Sequence, residues 1–566
     1  MNRQKITATI TLTLILALTI TTYQTINLQN QLNTYQTKID ELTTQLNKIK
    51  HRYSGNPFTT ALYPGQLQAE NITGMHWYTY LSGVLQNRTD VIAYPSQPAR
   101  FIVENVSGTV IWKDGTNGTV YATGATPAEA TNIINWALGN LTAGRTWKEK
   151  VVLKGNFTVA SRIDLVSYLT FVLDGKITLA SGTDTDLIFA SGKSYIDIIG
   201  GIFDHNGANQ ASGSTIYLSR CTNVTIDGAT LQNGHTYNLR LYLVSDSVFI
   251  NSVFDGAGND NIYTYNTCNR NIFKNNKIIN GGDMGIEGGY LYDSIIEANI
   301  VRDNADIGIK VAKPNNRIVN NYISGNSYGI DVLSGANQTI VSGNVVVENT
   351  VSGIYLDGAG DGCSVVGNII CSNGGHGIQI GSNRNYYTIA DNVIMFNGYH
   401  GITAGNIGGV IKGNIIGNNN QANGTYHGIY MTGASSKLTV EGNYIFDNQD
   451  TPTQRYGVYS AFATLIAIIK NNFIEGNVDG AIGGSLDSCI IEDNYGFVTE
   501  NSGTITFSGT SVSFTHGLAG TPTQVFASFN STGYGGWSWT ANSTHITITV
   551  ANLGDYTVYW RAYYEP

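Results

Sequence analysis

Apolar residues recur in short β-branched runs through the middle of the chain, from about Ile198 to Tyr495. Asn, Gly and Asp separate the runs, and these residues are typical of tight turns. No stretch between the runs has the apolar spacing of a helix, which argues against alternating strands and helices. The pattern therefore predicts many short strands joined by turns.

The runs form a repeat. A phrase of the form N-x-[IV]-x-x-N returns every 22 to 29 residues, at Asn251, Asn276, Asn299, Asn321, Asn344, Asn368, Asn392, Asn414, Asn443 and Asn472. A second apolar marker follows in each period, at Ile286, Ile309, Ile330, Ile354, Ile378, Ile402, Ile429 and Val458. One period fits one turn of a parallel β-helix, in which equivalent residues stack about 4.8 Å apart. We expect the isoleucines to point inward and the asparagines to form a hydrogen-bonded ladder along the bends.

A short helix precedes this repeat. Thr126, Pro127 and Glu129 have the positions of an N-cap, a first helical residue and the acidic member of a capping box. The apolar helical face consists of Ala130, Ile133, Ile134, Ala137 and Leu138. A stack of turns needs such a cover at its open end, so the helix is expected to cap the first strands.

The amino-terminal segment has the pattern of a membrane anchor. Residues 6–22 are uncharged and follow Arg3 and Lys5, which predicts a single-pass span with the bulk of the chain extracellular. A cleaved signal peptide is the alternative. Apolar residues then alternate in steps of four and three, at Leu28, Leu32, Tyr35, Ile39, Leu42, Leu46, Ile49 and Tyr53. This seam predicts a coiled-coil stalk in a homo-oligomer, with dimer and trimer both open.

The carboxyl-terminal residues alternate between apolar and polar and predict about six strands in a small β-sandwich. The predicted fold is thus all-β, a parallel β-helix with an amino-terminal transmembrane helix and coiled coil. The predicted segments are the anchor (1–23), the stalk (24–55), an irregular β region (56–107), a helix-capped entry (108–197), the β-helix repeats (198–497) and the sandwich (503–566).

Composition narrows the possible partners. Charged residues make up 13 % of the chain and its net charge is −9, so there is no basic surface to favour nucleic acid. Sequons for N-glycosylation fit an exported protein. They stand at Asn71, Asn87, Asn105, Asn117, Asn140, Asn156, Asn223, Asn337, Asn423, Asn530 and Asn542.

Residues 108–497 resemble the right-handed parallel β-helix superfamily, which includes pectate lyases, polygalacturonases, phage tailspikes and NosD-like repeat proteins. The segment "VVLKGNFTV" (151–159) after the helix is similar to the capped entry of tailspikes. The resemblance implies a right-handed β-helix. It leaves function open, because the superfamily contains lyases, hydrolases, epimerases and binding proteins.

The segment "GHGIQIGS" (375–382) looks like a polygalacturonase motif, but the aspartates expected on the preceding turns are Tyr328 and Val351-Ser352. Without two carboxylates, glycoside hydrolysis has no mechanism there. His376, His400 and His427 are instead expected to form a column, which could pack internally, bind sugar or hold a metal.

A second candidate site lies nearer the amino terminus. "GNDNIYTY" (258–265), "GGDMGIEGG" (281–289) and "NADIGIKVA" (304–312) align on their isoleucines and place Asp260, Asp283 and Asp306 on successive turns. The residues that follow these isoleucines, with their counterparts on the flanking turns, form a second column of Arg240, Tyr263, Glu287, Lys310 and Asp331. Asp260 and Asp283 match the polygalacturonase phrases in part. Stacked carboxylates repel each other, which would supply an acid and a base.

Three functions remain open. The first is recognition of polysaccharide through His235, Tyr237, Tyr263, Asp331, Tyr355 and Trp537. The second is a lyase, epimerase or hydrolase that uses Asp260, Asp283, Asp306, Glu287, Lys310 and Arg240, with Ca²⁺ held by the three aspartates and Arg240 or Lys310 as proton abstractor. The third is a structural component of a surface layer, appendage or spike.

Overall fold

A computed structural model describes residues 98–566, except 359, 382–383, 406, 433–436, 464 and 531, and two strands at Trp77–Leu81 and Val84–Arg88. The two strands pair antiparallel and belong to a separate compact unit, residues 1–95. The predicted anchor (6–22) and coiled coil (28–53) lie outside the described residues. In the described part of the chain, no helix is long and apolar enough to cross a bilayer.

The second unit begins with three antiparallel strands, Phe101–Val106, Thr109–Asp114 and Val120–Gly124, and the helix Pro127–Gly139. The predicted capping box is confirmed: the Thr126 side chain accepts the N–H of Glu129, and the Glu129 carboxylate accepts the N–H of Thr126. The predicted apolar face is buried against the strand Glu149–Val159. The helix therefore covers the first strands of the fold, as expected.

A right-handed parallel β-solenoid of about 14 turns follows. Sheet one has 14 strands: Ile163–Asp164, Ile188–Ser191, Ile216–Ser219, Leu239–Tyr242, Ile262–Tyr265, Ile286–Gly288, Ile307–Val311, Tyr328–Val332, Ile354–Leu356, Ile378–Ile380, Ile402–Ala404, Ile429–Met431, Tyr456–Ser460 and Gly480–Gly484. All neighbouring pairs in this sheet are parallel, as a coil of one strand per turn requires.

Two further sheets complete each turn, and both begin with the long strands Glu149–Val159 and Leu169–Leu179. Sheet two continues through Ser194–Ile199, Thr222–Asp227, Val248–Ile250, Ile272–Lys274, Ile295–Glu297, Arg317–Val319, Ile340–Ser342, Ser364–Val366, Thr388–Ala390, Ile407–Lys412, Lys437–Glu441, Ile466–Lys470 and Cys489–Glu492. Sheet three continues through Ile202–Asp204, Thr230–Gln232, Val253–Asp255, Lys277–Ile279, Ile300–Arg302, Tyr322–Ser324, Val345–Val347, Ile369–Cys371, Val393–Met395, Ile415–Gly417, Tyr444–Phe446 and Phe473–Glu475. Short elements in the bends are Cys268–Asn269 with Leu291–Tyr292, Gly360–Asp361 with Arg384–Asn385, and a 3₁₀ turn at Gly207–Asn209.

The core is a stack of apolar side chains. Every predicted marker from Ile286 to Val458 pairs in register with the next one, and each is fully buried. Their neighbours in each strand point the other way, because successive side chains in a strand alternate between faces. The inward row therefore fixes which residues of sheet one reach the outside.

The asparagine ladder is confirmed from Asn276 to Asn494. The Nδ2 of each ladder asparagine donates to the Oδ1 of the next at 2.9–3.0 Å. The predicted first member, Asn251, is wrong by one residue, because Ser252 occupies that position and donates its N–H to Asn276. Asn251 is left-handed (φ 53°), a conformation that asparagine tolerates better than most residues, and its side chain bonds Asp227.

The carboxyl-terminal region differs from the predicted β-sandwich of about six strands. Four strands, Glu500–Thr515, Gln524–Phe529, Trp537–Ala541 and His545–Tyr563, form one antiparallel sheet with its own core. The register between the two long strands shifts beside Gly509, so each long strand is divided into two halves. Those halves account for the extra strands that the sequence pattern predicted.

Candidate functional site

One outward position from each turn forms a row along sheet one, and we call this row the outward column. Its members in register are Asp164, Phe189, Tyr217, Arg240, Tyr263, Glu287, Lys310, Asp331, Tyr355, Gln379, Thr403, Tyr430, Tyr459 and Gly483. The predicted column from Arg240 to Asp331 is confirmed as part of this row. Nearly all its side chains are polar, charged or aromatic, unlike the inward row.

Five charged residues meet near the amino-terminal half of the column, and we call them the charged strip: Asp260, Asp283, Glu287, Asp306 and Lys310. The N–H of Asp306 donates to the carbonyl of Asp283 at 2.9 Å, so these two aspartates stack on adjacent turns. Asp260 lies one position further along its turn, where its Oδ1 accepts the N–H of Met284 at 3.0 Å. The structure thus brings the three predicted aspartates together on successive turns, with Asp260 offset from the other two.

Asp260 is the most perturbed acid of the strip. Burial, with only 2 % of the residue exposed, raises its pKa to about 7, and the charges of Asp283 and Glu287 act in the same direction. The N–H of Met284 and the charge of Lys310 partly oppose that rise in pKa. Burial and the neighbouring Asp306 also raise the pKa of Asp283. The strip therefore holds a carboxyl group that exchanges its proton near neutral pH.

Glu287 and Lys310 form an ion pair across adjacent turns. Lys310 Nζ lies 2.8 Å from Glu287 Oε2, and the N–H of Gly289 donates to Glu287 Oε1 at 3.0 Å. Burial would lower the pKa of Lys310, but the hydrogen bond and charge of Glu287 outweigh it and raise that pKa. A lysine held in its protonated form is a poor proton abstractor, so this geometry does not favour the predicted role of Lys310 as a base.

Aromatic rings border the strip on its amino-terminal side. Tyr237 and Tyr263 stack with centroids 4.3 Å apart and planes 4° apart. The guanidinium of Arg240 lies 4.4 Å from the ring centre of Tyr217, and its buried Nε has no hydrogen-bond acceptor among the described residues. A buried donor without an acceptor is costly to the folded state.

His235 lines a cleft of about 750 Å³ on the neighbouring bend, together with Asp204, Asn206, Gln210 and Asn233. Its Nδ1 lies 3.1 Å from the carbonyl of Gly207, which places the ring proton on Nδ1. Nε2 is then left as an acceptor. His235 is thus close to the predicted groove, but its side chain lines a separate cleft.

Three other predicted binding residues have different settings. Asp331 follows Lys310 in the outward column and is 6 % exposed. Tyr355 is the next member, and its hydroxyl donates to Asp357 at 2.9 Å. Trp537 lies in the carboxyl-terminal sheet, where it packs near Phe529, so it does not belong to the outward column.

The geometry does not support the predicted calcium site. Within the described ranges, no group of three or more His, Cys, Asp or Glu side chains is arranged to hold a metal ion. One Asp260 oxygen already accepts the N–H of Met284, and Glu287 is paired with Lys310. Ca²⁺ prefers six to eight oxygen ligands, whereas the three aspartates have six carboxylate oxygens in all and one of these already accepts a hydrogen bond.

A second cluster lies toward the carboxyl-terminal end of sheet one, and we call it the His–Tyr column. It comprises His376, Tyr399, His400, Tyr426, His427, Tyr430, Tyr456 and Tyr459. The predicted stacking of the three histidines is confirmed, but the tyrosines were missed. The repeated phrase "YHGI" (399–402 and 426–429) was the available signal, since it places a tyrosine before each of two histidines.

Comparison with known proteins gives two family matches. The family model described as "Right handed beta helix region" matches residues 214–370, and the model described as "Periplasmic copper-binding protein (NosD)" matches residues 315–478. No curated protein sequence matches the chain significantly. The second description names copper, but no group of three or more His, Cys, Asp or Glu side chains among the described residues is arranged to hold a metal ion.

Several solved structures share the fold. Two structures of mutant tailspike protein from Escherichia coli bacteriophage HK620, each in complex with pentasaccharide, have TM-scores of 0.51 and 0.50 at 12 % and 13 % identity, and each comparison covers 80 % of this chain and 92 % of the tailspike. The A-module of the Azotobacter vinelandii mannuronan C-5 epimerase AlgE6 has a TM-score of 0.40 at 14 % identity, covering 65 % of this chain and 94 % of the module. Residues 214–370 therefore match the right-handed β-helix family, and the described solenoid has the right-handed parallel β-helix fold of that superfamily.

Proposed function

We propose that the protein recognises polysaccharide along the outward column of sheet one. The observation that carries the proposal is the continuity of that column, which supplies one outward position on each of 14 parallel strands. Equivalent positions on adjacent turns are about 4.8 Å apart, so the column offers a regular series of contacts to an extended polymer. A polymer of repeating sugar units can therefore make similar contacts on successive turns.

The side chains around Tyr263 suit sugar rings. The stacked pair Tyr237–Tyr263 offers apolar ring surface together with hydroxyl groups, a combination that is common where one side of a ligand is apolar and the other polar. Arg240 adds a buried N–H that lacks an acceptor among the described residues. The tailspike neighbours, which were solved with a pentasaccharide, support a carbohydrate ligand on this type of fold.

Charge selects between classes of polysaccharide. Among the described residues in and beside the strip, the carboxylates of Asp283, Glu287, Asp306 and Asp331 outnumber the cations of Arg240 and Lys310. The excess of carboxylates repels uronate polymers and favours uncharged ones. The proposed ligand is therefore a neutral polysaccharide.

Glycan-array binding of the full-length protein tests this function. We expect binding to neutral glycans that Tyr263→Ala reduces at least about tenfold, since an aromatic anchor is lost. Tyr322→Ala is the matched control, because Tyr322 is an exposed tyrosine of sheet three. Loss of binding in the control but not in Tyr263→Ala would contradict the proposal.

A second candidate function is a reaction on the bound polysaccharide, and Asp260 is the observation that favours it. A carboxylic acid with a pKa of about 7 can donate a proton at neutral pH, as a general acid must. Incubation with neutral and uronate polysaccharides, followed by assay of reducing ends and unsaturated products, tests this candidate. We expect product from the wild-type protein and none from Asp260→Asn; absence of product from every polymer would overturn the enzymatic function.

The proposed location is the outer surface of a membrane. Residues 6–22 would form the anchor and residues 28–53 a coiled coil between copies. We expect the protein to remain in the membrane pellet after an alkaline carbonate wash, and deletion of residues 6–22 to release it. Release of the intact wild-type chain by the wash would contradict the anchor.

A further inference from the structure

The His–Tyr column extends the outward column beyond the charged strip. Tyr430 and Tyr459 are members of the outward column, and His400 and His427 each lie two residues before an inward isoleucine. The two histidines therefore repeat at one position on consecutive turns, and the two tyrosines repeat at another position on consecutive turns. The cluster spans the strands from Ile378–Ile380 to Tyr456–Ser460.

The rings hold one another in fixed orientations. His376 and His400 are 5.3 Å apart with planes 2° apart, and His400 stacks on Tyr430 at 4.4 Å and 9°. His427 stacks on Tyr459 at 4.4 Å and 5°. Side chains that are already ordered lose little conformational entropy when a ligand binds. The cluster is a preorganised aromatic surface.

Backbone hydrogen bonds fix the histidine protons. The N–H of His427 donates to Nδ1 of His400 at 2.8 Å, and the N–H of Tyr456 donates to Nδ1 of His427 at 3.2 Å. Nδ1 is therefore the acceptor in both rings, and the proton is on Nε2. Nδ1 of His376 is buried without a partner in the described portion of the chain.

The column is uncharged near neutral pH. Burial lowers the pKa of His376 and of His427 to about 4 and lowers that of His400 further. Two neighbouring charges act on His427, namely Asp479 and Arg455, and they form an ion pair with each other at 2.6 Å. The ring surface thus offers hydroxyls and neutral N–H groups but no net charge to attract an ion.

From this geometry we infer that the His–Tyr column is a second carbohydrate subsite, one that binds uncharged pyranose rings. The apolar C–H face of such a sugar packs against the edges of the stacked rings, while its hydroxyl oxygens accept from Nε2–H groups and tyrosine hydroxyls. The inference rests on the proposed polysaccharide recognition and assigns a specific place and chemistry to it. It makes no use of the charged strip.

The two subsites are well separated along the solenoid. Between Tyr263 and Tyr430 the outward column passes Glu287, Lys310, Asp331, Tyr355, Gln379 and Thr403. Seven steps of about 4.8 Å place the subsites roughly 34 Å apart. A polymer that reaches both gains from simultaneous contacts, whereas a short oligosaccharide occupies one subsite at a time.

Calorimetric titration of the full-length protein with cellohexaose, maltohexaose and mannohexaose tests the inference. We expect Tyr430→Ala and Tyr459→Ala to weaken binding of the preferred hexasaccharide about tenfold. Tyr430→Phe retains the stacked ring and should stay within about threefold of the wild type, which separates loss of the ring from loss of folding. Tyr322→Ala on sheet three should bind as the wild type does.

The outcomes distinguish this inference from the proposed function. Normal hexasaccharide binding in both alanine variants, with binding lost in Tyr263→Ala, would overturn the second subsite and leave the proposed function intact. Absence of glycan binding by the wild-type protein would overturn both. Affinity should also be constant from pH 6 to 8, since the histidines are neutral throughout, and an affinity that rises on acidification would contradict an uncharged site.

Discussion

Sheet one carries the charged strip in its amino-terminal half and the His–Tyr column in its carboxyl-terminal half. Both are built on strands that pair in register over one continuous inward row of isoleucines. The strip contains an ion pair and a carboxyl group with a pKa of about 7, whereas the His–Tyr column contains stacked rings that remain uncharged. The comparison shows that the solenoid fixes spacing, while the outward residues alone decide the chemistry.

The two regions also have opposite effects on how the stability of the fold depends on pH. The pKa of Asp260 is raised on folding, so stability falls as pH rises from about 4 to 7, where the unfolded chain has already released that proton. The pKa values of His376 and His427 are lowered on folding, so stability falls as pH drops from about 6.5 to 4, where the unfolded chain binds protons that the folded chain does not.

The largest effect is expected from Asp260→Asn. The asparagine keeps an oxygen for the N–H of Met284 but cannot ionise. The rise from 3.8 to about 7 corresponds to up to about 4 kcal/mol, so the variant should be more stable than the wild type by up to that amount at pH 8 and equal to it at pH 4. Urea unfolding at both pH values measures this, with the exposed Asp303→Asn as a control that should change neither value by more than about 0.5 kcal/mol. Equal stabilities at pH 8 would contradict the buried acid.

A somewhat smaller gain in stability, with the opposite dependence on pH, is expected from His376→Phe. Phenylalanine keeps a ring beside His400 and removes a buried Nδ1 that lacks a partner among the described residues. The fall in pKa from 6.5 to about 4 corresponds to up to about 3 kcal/mol, so the variant should resist acid more than the wild type between pH 6.5 and 4. Unfolding at pH 4.5 and pH 8 measures the difference. His545→Phe, at an exposed position of the carboxyl-terminal sheet, should show no such gain.

Removal of the ion pair is expected to cost less. Lys310→Met keeps most of the aliphatic stem but leaves Glu287 without its cation, and should destabilise the protein by about 2 kcal/mol at pH 7. Lys274→Met is the matched control, because its pair with Glu297 is more exposed and should contribute less than about 1 kcal/mol. A loss of the same size in both variants would show that the strip is no different from an ordinary charged surface.

The smallest effect on stability is expected from a substitution at Tyr355, which lies in the outward column between the two regions. Tyr355→Phe removes a hydroxyl that donates to Asp357 at 2.9 Å and should cost about 1 kcal/mol in stability. Because Tyr355 lies between the subsites, hexasaccharide affinity should change less than about twofold, while affinity for a long neutral polymer should fall a few-fold. An equal fall for both ligands would indicate one continuous site instead of two.

The repeat made much of this architecture predictable. The isoleucine markers gave the register of sheet one, and the register placed Glu287 beside Lys310 and stacked His376, His400 and His427. Periodicity is sufficient here because each turn contacts mainly its neighbours, so distance along the sequence translates into distance in space.

Other features depend on details that periodicity does not carry. Asn251 matches the start of the repeat phrase but occupies the left-handed position before the ladder, as Asn275 does on the next turn, because Ser252 fills the ladder position of its own turn. The offset of Asp260 is visible in the sequence, since Asp260 stands two residues before its inward isoleucine whereas Asp283 stands three before its own. The raised pKa of Asp260 follows from its burial, which the spacing alone does not indicate. The ring orientations of the His–Tyr column depend on side-chain rotamers, which the pattern of apolar residues does not determine.

The most direct test of the central claim is a crystal structure of the protein with the neutral oligosaccharide that binds it best. The account predicts sugar rings along the outward column of sheet one, over Tyr263 or over Tyr430 and Tyr459. A sugar bound instead to sheet two, sheet three or the carboxyl-terminal sheet, with the outward column vacant, would contradict it.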